Sequence, residues 1–148
     1  MGGSLDHGNI SPFAEANIGH DAPAAAAVFD SGIPIDMVGL NVTRTCPIRR
    51  ELFDEFENSP RRDIVQLMRT LVDFRSGEPM HDAIAISTLI DERMATWREG
   101  TVRVETQDVE RRGQTVFREG SGGRHRVAVA VDTGRFEAVL RELLTRLH

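Results

Sequence analysis

The segment DAPAAAAVFDSGIPIDMVGLNV, which runs from Asp21 to Val42, contains the pattern that decides the fold class. Asp21 and Pro23 are typical of an N-cap and a first helical turn, and Gly32 is a stop signal after the helical body. The nearly continuous apolar run from Ile33 to Val42 then predicts a strand that is covered on both faces. A helix that leads into a buried strand indicates a parallel α/β unit.

A polar segment from Gly8 to Asp21 precedes this helix and carries two amides, Asn9 and Asn17, and one carboxylate, Glu15. Amides both donate and accept hydrogen bonds and a carboxylate accepts strongly, so these groups suit a small polyhydroxylated ligand. The same pattern fits an ordinary surface loop that caps the helix, and spacing alone favours that interpretation. The binding loop remains the alternative, because loops often carry function.

The chain beyond this unit divides into helical and β parts. Apolar residues at helical spacing predict helices, and alternating apolar and polar residues predict strands. In chain order these elements lie near Ile48–Phe56, Ser59–Phe74, Val102–Thr106, Thr115–Phe117, Val127–Val131 and Phe136–Leu147. The predicted fold is therefore α/β, with part of an open, mostly parallel sheet flanked by helices, a small β extension and a C-terminal helix.

The dipeptide His81-Asp82 stands where a turn over Arg75–Pro79 leads into a predicted helix from Ala83 to Ile90. A carboxylate at a helix N-terminus is stabilised by free backbone N–H groups and by the helix dipole. An N-cap is therefore the interpretation of Asp82 that spacing favours. The functional alternative is a metal ligand, with the neighbouring His81 as a proton donor.

Composition excludes several classes of function. The 148 residues carry a net charge of −5, and the arginine pairs have acidic neighbours, so a nucleic-acid partner is not predicted. No apolar run approaches the roughly 18 residues that span a bilayer, which predicts a cytoplasmic protein without a membrane partner. Cys46 is the single cysteine, so an intrachain disulfide and a cysteine zinc site are excluded and a buried structural thiol is predicted.

Five short segments carry a family resemblance: Met1–Gly3, Gly8–Pro12, Ala14–Ile18, Ile33–Thr43 and His81–Ala83. Their residues, order and spacing resemble those of the inosine/uridine-preferring nucleoside hydrolase family. The resemblance covers nearly all of the chain and implies one partial domain over residues 1–148, equivalent to the second half of the family's domain. That family opens with the motif Asp-Thr-Asp-x-Gly-x-Asp-Asp, whose carboxylates bind calcium and orient the attacking water, and this motif does not occur here.

The resemblance implies hydrolysis of the N-glycosidic bond of purine or pyrimidine ribonucleosides to ribose and free base. It implies that Asn9, Glu15 and Asn17 bind the ribose hydroxyls. It also implies that Asp82 is a calcium ligand and that His81 is the general acid beside the leaving base. Calcium suits such a site because it accepts carboxylate, carbonyl, water and hydroxyl oxygens in flexible geometry.

The missing aspartate motif leaves two hypotheses. In the first, the chain is a nucleoside hydrolase that is incomplete in isolation, and a complementing N-terminal half supplies the remaining carboxylates. In the second, it is a non-catalytic ribose-binding or interaction module that associates through an open sheet edge, since unpaired strand edges invite association. The predicted partners are therefore a ribonucleoside and either further copies of the chain or the complementing half.

Overall fold

The computed structural model describes residues 1–74 and 78–146. The chain divides into two compact units, Met1–Thr43 with Ala95–Val131 and Arg44–Met94 with Asp132–His148. The single partial domain predicted for residues 1–148 stays a prediction. The predicted turn over Arg75–Pro79 lies outside the described residues from 75 to 77, as does Leu147 of the predicted C-terminal helix.

The described residues form short helices and strands. In chain order they are α1 (Ala16–Gly19), α2 (Ala22–Asp30), β1 (Ile35–Met37), α3 (Leu40–Thr43), α4 (Glu51–Asp54), α5 (Arg62–Phe74), α6 (His81–Ser87), β2 (Ala95–Val104), β3 (Thr115–Glu119), β4 (His125–Val131) and α7 (Thr133–Arg146), with a 3-10 turn at Glu92–Met94 before β2. None of these helices has the length and apolar composition needed to cross a bilayer.

The four strands form one sheet in the first unit, in the order β1-β4-β2-β3. The predicted α/β class with flanking helices is confirmed, but the sheet is mixed rather than mostly parallel. Only β1 and β4 run parallel, while β2 is antiparallel to both β3 and β4. Short connections between β2, β3 and β4 reverse the chain each time, which produces antiparallel neighbours. The predicted β extension thus supplies three of the four strands.

The strand predicted over Ile33–Val42 is shorter than its apolar pattern indicated. β1 ends at Met37, and Leu40 begins α3. Gly39 explains the break, because a Cβ there would lie 2.8 Å from the carbonyl oxygen of Gly3. The backbone N–H of Leu40 donates to that same oxygen at 2.9 Å. Close approach of two backbone segments therefore ends the strand where an apolar pattern alone would continue it.

His125 joins three elements of the first unit at its core. Its Nδ1 accepts a hydrogen bond from the backbone N–H of Val102 at 2.8 Å, and its Nε2 lies 3.1 Å from the carbonyl oxygen of Phe29. This arrangement requires the proton on Nε2. The ring also contacts the Phe29 ring edge-on. The surrounding apolar core consists of Ile18, Phe29, Met37, Val102 and Val127.

In the second unit, helix α4 is shorter than the predicted Ile48–Phe56, and Cys46 is fully buried near the start of α7. The predicted burial of the thiol is confirmed. Burial raises the pKa of Cys46 above its ordinary value, and the carboxylates of Glu137 and Asp132 add to that shift against a hydrogen bond with Thr133. The thiol is therefore protonated and shielded at neutral pH.

We expect Cys46 to resist an aromatic disulfide reagent in the native protein, because the reactive thiolate is both scarce and inaccessible. Stoichiometric labelling should appear once the chain is unfolded in guanidinium. Labelling at equal rates in the native and unfolded states would contradict the burial.

A second expectation concerns two glycines with the same positive φ of 84°, Gly113 and Gly122. A Cβ on Gly113 would lie 2.7 Å from the Cα of Gly19, whereas nothing lies within 4 Å of one on Gly122. We expect Gly122→Ala to lose about 1–2 kcal/mol through backbone strain alone. Gly113→Ala should lose about 1–3 kcal/mol more through overpacking, measured by urea unfolding. Equal losses would contradict the close contact between residues 19 and 113.

Candidate functional site

The carboxylate of Glu15 is the most constrained polar group in the first unit. Glu15 is only 3% exposed and is the N-cap of α1. Its Oε2 accepts from the backbone N–H groups of Gly3 at 2.8 Å and Ile18 at 3.2 Å, and its Oε1 accepts from Asn17 at 2.8 Å. Because a carboxylate offers about four lone-pair positions, one position on Oε1 remains for a further donor.

Glu15 thereby attaches α1 to the extended segment Met1–Ser4. One side of this segment, which we call the inner side, faces the residues that follow β1. There the N–H of Gly2 donates to the carbonyl oxygen of Val38 at 3.2 Å. On its outer side the N–H of Gly3 is taken by Glu15. Side chains of the loop thus occupy backbone groups that another strand would otherwise use.

Asn17 holds the same segment from α1. Its Nδ2 donates to the carbonyl oxygen of Met1 at 3.3 Å and contacts the Met1 Sδ at 3.4 Å. No residue in the described part of the chain donates to its Oδ1, and the side chain is exposed. Asn17 stands at the rim of a cavity of about 380 Å³ between α2 and β1, with Asp21 and Asp36 as the other polar rim residues.

Asn9 lies at the opposite end of the same loop. Its Oδ1 accepts from the backbone N–H of Ala16 at 2.9 Å, while its exposed amide nitrogen faces away from that bond. The Ser11 hydroxyl fixes the turn between them by accepting from the N–H groups of Phe13 and Ala14. The fold therefore brings Asn9, Glu15 and Asn17 together around the first turn of α1, as their spacing along one loop suggested.

His81 and Asp82 belong to the second unit. Helix α6 begins at His81 with Met80 as its N-cap, and no side chain forms a capping hydrogen bond. The N-cap interpretation of Asp82 is therefore wrong, because the helix starts one residue before it and leaves its exposed carboxylate free of a capping role. Both side chains line a cavity of about 270 Å³ whose apolar wall includes Leu71 and Met80.

The calcium predicted from the resemblance has no complete ligand set in the described residues 1–74 and 78–146. No three acidic, histidine or cysteine side chains converge there on a common point. Calcium takes about six to eight oxygen ligands, far more than the carboxylate of Asp82 supplies. The residues present do not fit the ion by themselves.

Two residues that sequence reasoning did not assign to the site also position the amino-terminal segment. The Thr115 hydroxyl accepts from the N–H of Ser4 at 2.9 Å and donates to its carbonyl oxygen at 2.7 Å. Asn41 accepts from the N–H of Leu5 at 3.3 Å and donates to the carbonyl oxygen of Ala128 at 3.1 Å. Thr115 opens the predicted strand Thr115–Phe117 and Asn41 lies in the family-like segment Ile33–Thr43, but the sequence does not signal the contact that either residue makes with the amino-terminal segment.

The first unit is thus an α/β sheet with a loop-borne polar site at one edge, and comparison with known proteins identifies the family. The model of the inosine-uridine preferring nucleoside hydrolase family matches residues 1–138. The chain belongs to that family.

Relatives of known function match the chain over almost its whole length. The pyrimidine-specific ribonucleoside hydrolase RihA of Salmonella paratyphi A is 35% identical over 97% of this chain and 51% of its own length. The RihA protein of Citrobacter koseri is 34% identical with the same coverage. The chain therefore spans about half the length of the curated relatives it matches.

Solved structures agree with this assignment. A purine-preferring ribonucleoside hydrolase from Gardnerella vaginalis superposes with a TM-score of 0.78 at 25% identity, covering 98% of this chain and 52% of that one. A plant nucleoside hydrolase gives a TM-score of 0.83 at 27% identity with the same coverage. The α/β fold is that of the family.

We expect Glu15→Gln to destabilise the first unit. Whichever way the glutamine amide is turned, its NH₂ group would face at least one backbone N–H that Glu15 now accepts. Loss of a hydrogen bond to a charged group and one unsatisfied buried donor should cost about 2–3 kcal/mol in urea unfolding.

Glu99→Gln is the matched control, since Glu99 is exposed on β2 and should change stability by less than about 0.5 kcal/mol. If both variants unfold at the wild-type urea concentration, the Glu15 carboxylate does not hold the loop.

Proposed function

We propose that this chain provides the ribose-binding part of a nucleoside N-ribohydrolase, which cleaves purine or pyrimidine ribonucleosides to ribose and free base. The observation that carries the proposal is the arrangement around α1. Asn9 and Asn17 each use one polar atom of the amide to hold backbone and keep the other for a ligand, whereas Glu15 uses both carboxylate oxygens and keeps one acceptor position on Oε1. This division of roles fixes the side chains before a sugar arrives.

The chemistry of the reaction requires such a fixed wall. Cleavage of an N-glycosidic bond passes through a ribose with oxocarbenium character, and hydrogen bonds to the sugar hydroxyls strengthen as that charge develops. The free Nδ2 of Asn9 donates, whereas the Oδ1 of Asn17 and the remaining position on Glu15 accept. A vicinal diol, which both donates and accepts, complements this set. Groups held in place by backbone bonds also lose less entropy on binding.

His81 is proposed as the general acid. Water attacks the ribose C1′ as the bond to the base nitrogen breaks, His81 donates a proton to the base so that it leaves as a neutral molecule, and the proton that the attacking water loses passes to solvent. The apolar wall around His81, which includes Leu71 and Met80, suits the flat face of a base. A positioned acid of this kind contributes roughly 10²- to 10⁴-fold in rate.

Calcium is proposed as the metal, with Asp82 as the one ligand that this chain assigns to it. The carboxylate of Asp82 is exposed and outside the capping hydrogen bonds of α6, so it is available to a cation. In the part of the chain that the structure describes, no three acidic, histidine or cysteine side chains converge around a metal, so further oxygen ligands are needed to complete the coordination of calcium.

A second candidate function is a non-catalytic ribose-binding or interaction module that forms oligomers. The absence of a convergent metal-binding cluster from the described residues favours it. The two candidates share the ribose wall and differ in turnover, so binding and catalysis must be measured separately.

Ribose binding is tested on the purified chain by saturation-transfer NMR with ribose and 2-deoxyribose. Ribose should bind more tightly than 2-deoxyribose, and Asn17→Ala should weaken ribose binding by about 3- to 10-fold through loss of one hydrogen bond. Asn58→Ala, an exposed asparagine of the second unit, should leave it unchanged. The absence of ribose binding, or equal loss in both variants, would refute the ribose wall.

Turnover is tested by assaying free ribose from inosine and uridine in the presence of calcium. Under the leading proposal, His81→Ala lowers ribose release roughly 10²- to 10⁴-fold, and Asp82→Ala removes its dependence on calcium. Ribose binding without any ribose release, from the chain alone or with a complementing half, would favour the non-catalytic module.

A further inference from the structure

The ladder between β2 and β3 presents two arginines on the same face of the sheet. In its antiparallel register, Thr101 lies opposite Arg118 and Arg103 lies opposite Val116. Successive residues of a strand point to opposite faces, so these four side chains share one face. Val102, which alternates with them, belongs to the apolar core of the first unit on the other face. The two arginines are therefore diagonal neighbours on the face that is turned away from that core.

The same four residues line a cavity of about 130 Å³. Thr101 and both arginines are exposed, and Val116 is 51% exposed. Diagonal neighbours on a β ladder are close enough for long side chains to reach a common point. We name the surface formed by Thr101, Arg103, Val116 and Arg118 the β2–β3 recess. It combines two guanidinium groups with one hydroxyl and one apolar side chain.

The positive charges of the β2–β3 recess have no acidic partner in the described residues 1–74 and 78–146. Neither guanidinium forms an ion pair or a hydrogen bond there. Other arginines of the sheet are compensated, since Arg98 binds Glu119 at 3.0 Å and Arg126 binds Asp36 at 2.8 Å. In a chain with a net charge of −5, two neighbouring arginines without a carboxylate stand out. An anion between them would remove the repulsion of like charges.

We propose that the β2–β3 recess binds the phosphate group of a small phosphate monoester. Such a group carries about −1.5 to −2 charges at pH 7 and three strong acceptor oxygens. Arginine forks match pairs of phosphate oxygens, so Arg103 and Arg118 can bind the dianion from two sides. The Thr101 hydroxyl adds a further donor. A carboxylate offers only one charge and two oxygens, so it would leave one of the two arginines uncompensated.

The surroundings of the recess favour a small ligand over a nucleic acid. A nucleic-acid backbone is bound by a track of basic residues, whereas this face supplies two arginines for one phosphate group. Glu99, two residues before Thr101 on the same face, bounds the basic surface. Val116 offers an apolar contact to the organic part of an ester. None of these residues belongs to the polar segment from Gly8 to Asp21, so the proposal does not rest on ribose binding.

The test is an NMR titration of the isotope-labelled chain with methyl phosphate, which follows the backbone amides of Thr101, Arg103 and Arg118. We expect saturable shifts at these amides. Arg103→Gln and Arg118→Gln should each weaken binding about 3- to 10-fold, because each removes an exposed, charge-assisted contact. Both side chains are exposed, so the variants should fold.

Arg98→Gln is the matched control, since it removes the same charge from the opposite face of β2 and should change the affinity by less than about twofold. Arg103→Lys keeps the charge and loses the planar fork, so it should still bind more weakly than the wild type. Equal weakening by Arg98→Gln and Arg103→Gln would overturn the proposal, because general attraction by net charge would then explain the binding. The absence of saturable shifts would also overturn it.

The choice of anion and of pH tests for the phosphate dianion itself. Affinity for methyl phosphate should rise up to about tenfold from pH 5 to pH 7.5, since a phosphate monoester loses its second proton near pH 6. Inorganic sulfate keeps two charges over this range and should show no such rise. Acetate should bind at least about tenfold more weakly than methyl phosphate at pH 7.5. Acetate binding of equal strength, or a rise shared by sulfate, would contradict the proposal.

Inorganic phosphate distinguishes the two sources of the ligand. Tighter binding of methyl phosphate than of inorganic phosphate would support the proposed monoester and its contact with Val116. Tighter binding of inorganic phosphate would overturn the monoester and assign the recess to the free ion.

Discussion

The Glu15 carboxylate is the interaction on which the candidate site depends. It is buried, and it accepts hydrogen bonds from backbone N–H groups on both α1 and the extended segment at Met1–Ser4. A buried carboxylate is tolerated only when such donors compensate for its lost hydration. The same bonds orient Asn17, so the charge that is costly to bury is also what fixes the polar loop. Glu15 therefore both holds the loop in place and offers the proposed contact to the ligand.

Hydrogen bonds from side chains also explain why the loop can be short. Asn9 and Glu15 cap the first turn of α1, which has only four residues and would not persist alone. The close contact between Gly19 and Gly113 presses the turn against the loop that follows β2. In the core of the first unit, His125 of β4 forms hydrogen bonds with Val102 of β2 and Phe29 of α2. A short irregular segment is thus held by side-chain bonds where longer elements would rely on their own backbone ladders.

The sequence predicted most of what depends on local pattern. Helix α2 follows its Asp21 cap and Gly32 stop, and the late strands follow their alternation. It could not predict the early end of β1 at Met37, because the cause is a distant contact between Gly39 and Gly3. Spacing also favoured Asp82 as an N-cap, because nothing in the sequence signals that α6 begins at His81, two residues before the predicted start at Ala83. The loop residues were identifiable through family resemblance, whereas their bonds to the amino-terminal backbone were not.

The ribose-binding role that we propose for this chain rests on the polar loop around α1. This role requires that the Glu15 carboxylate holds the loop to the extended segment Met1–Ser4. Amide hydrogen exchange measured by NMR tests this most directly. The account predicts that the N–H groups of Gly3, Asn17 and Ile18 are strongly protected. Exchange of these amides as fast as that of the exposed turn residue Ser121 would contradict it.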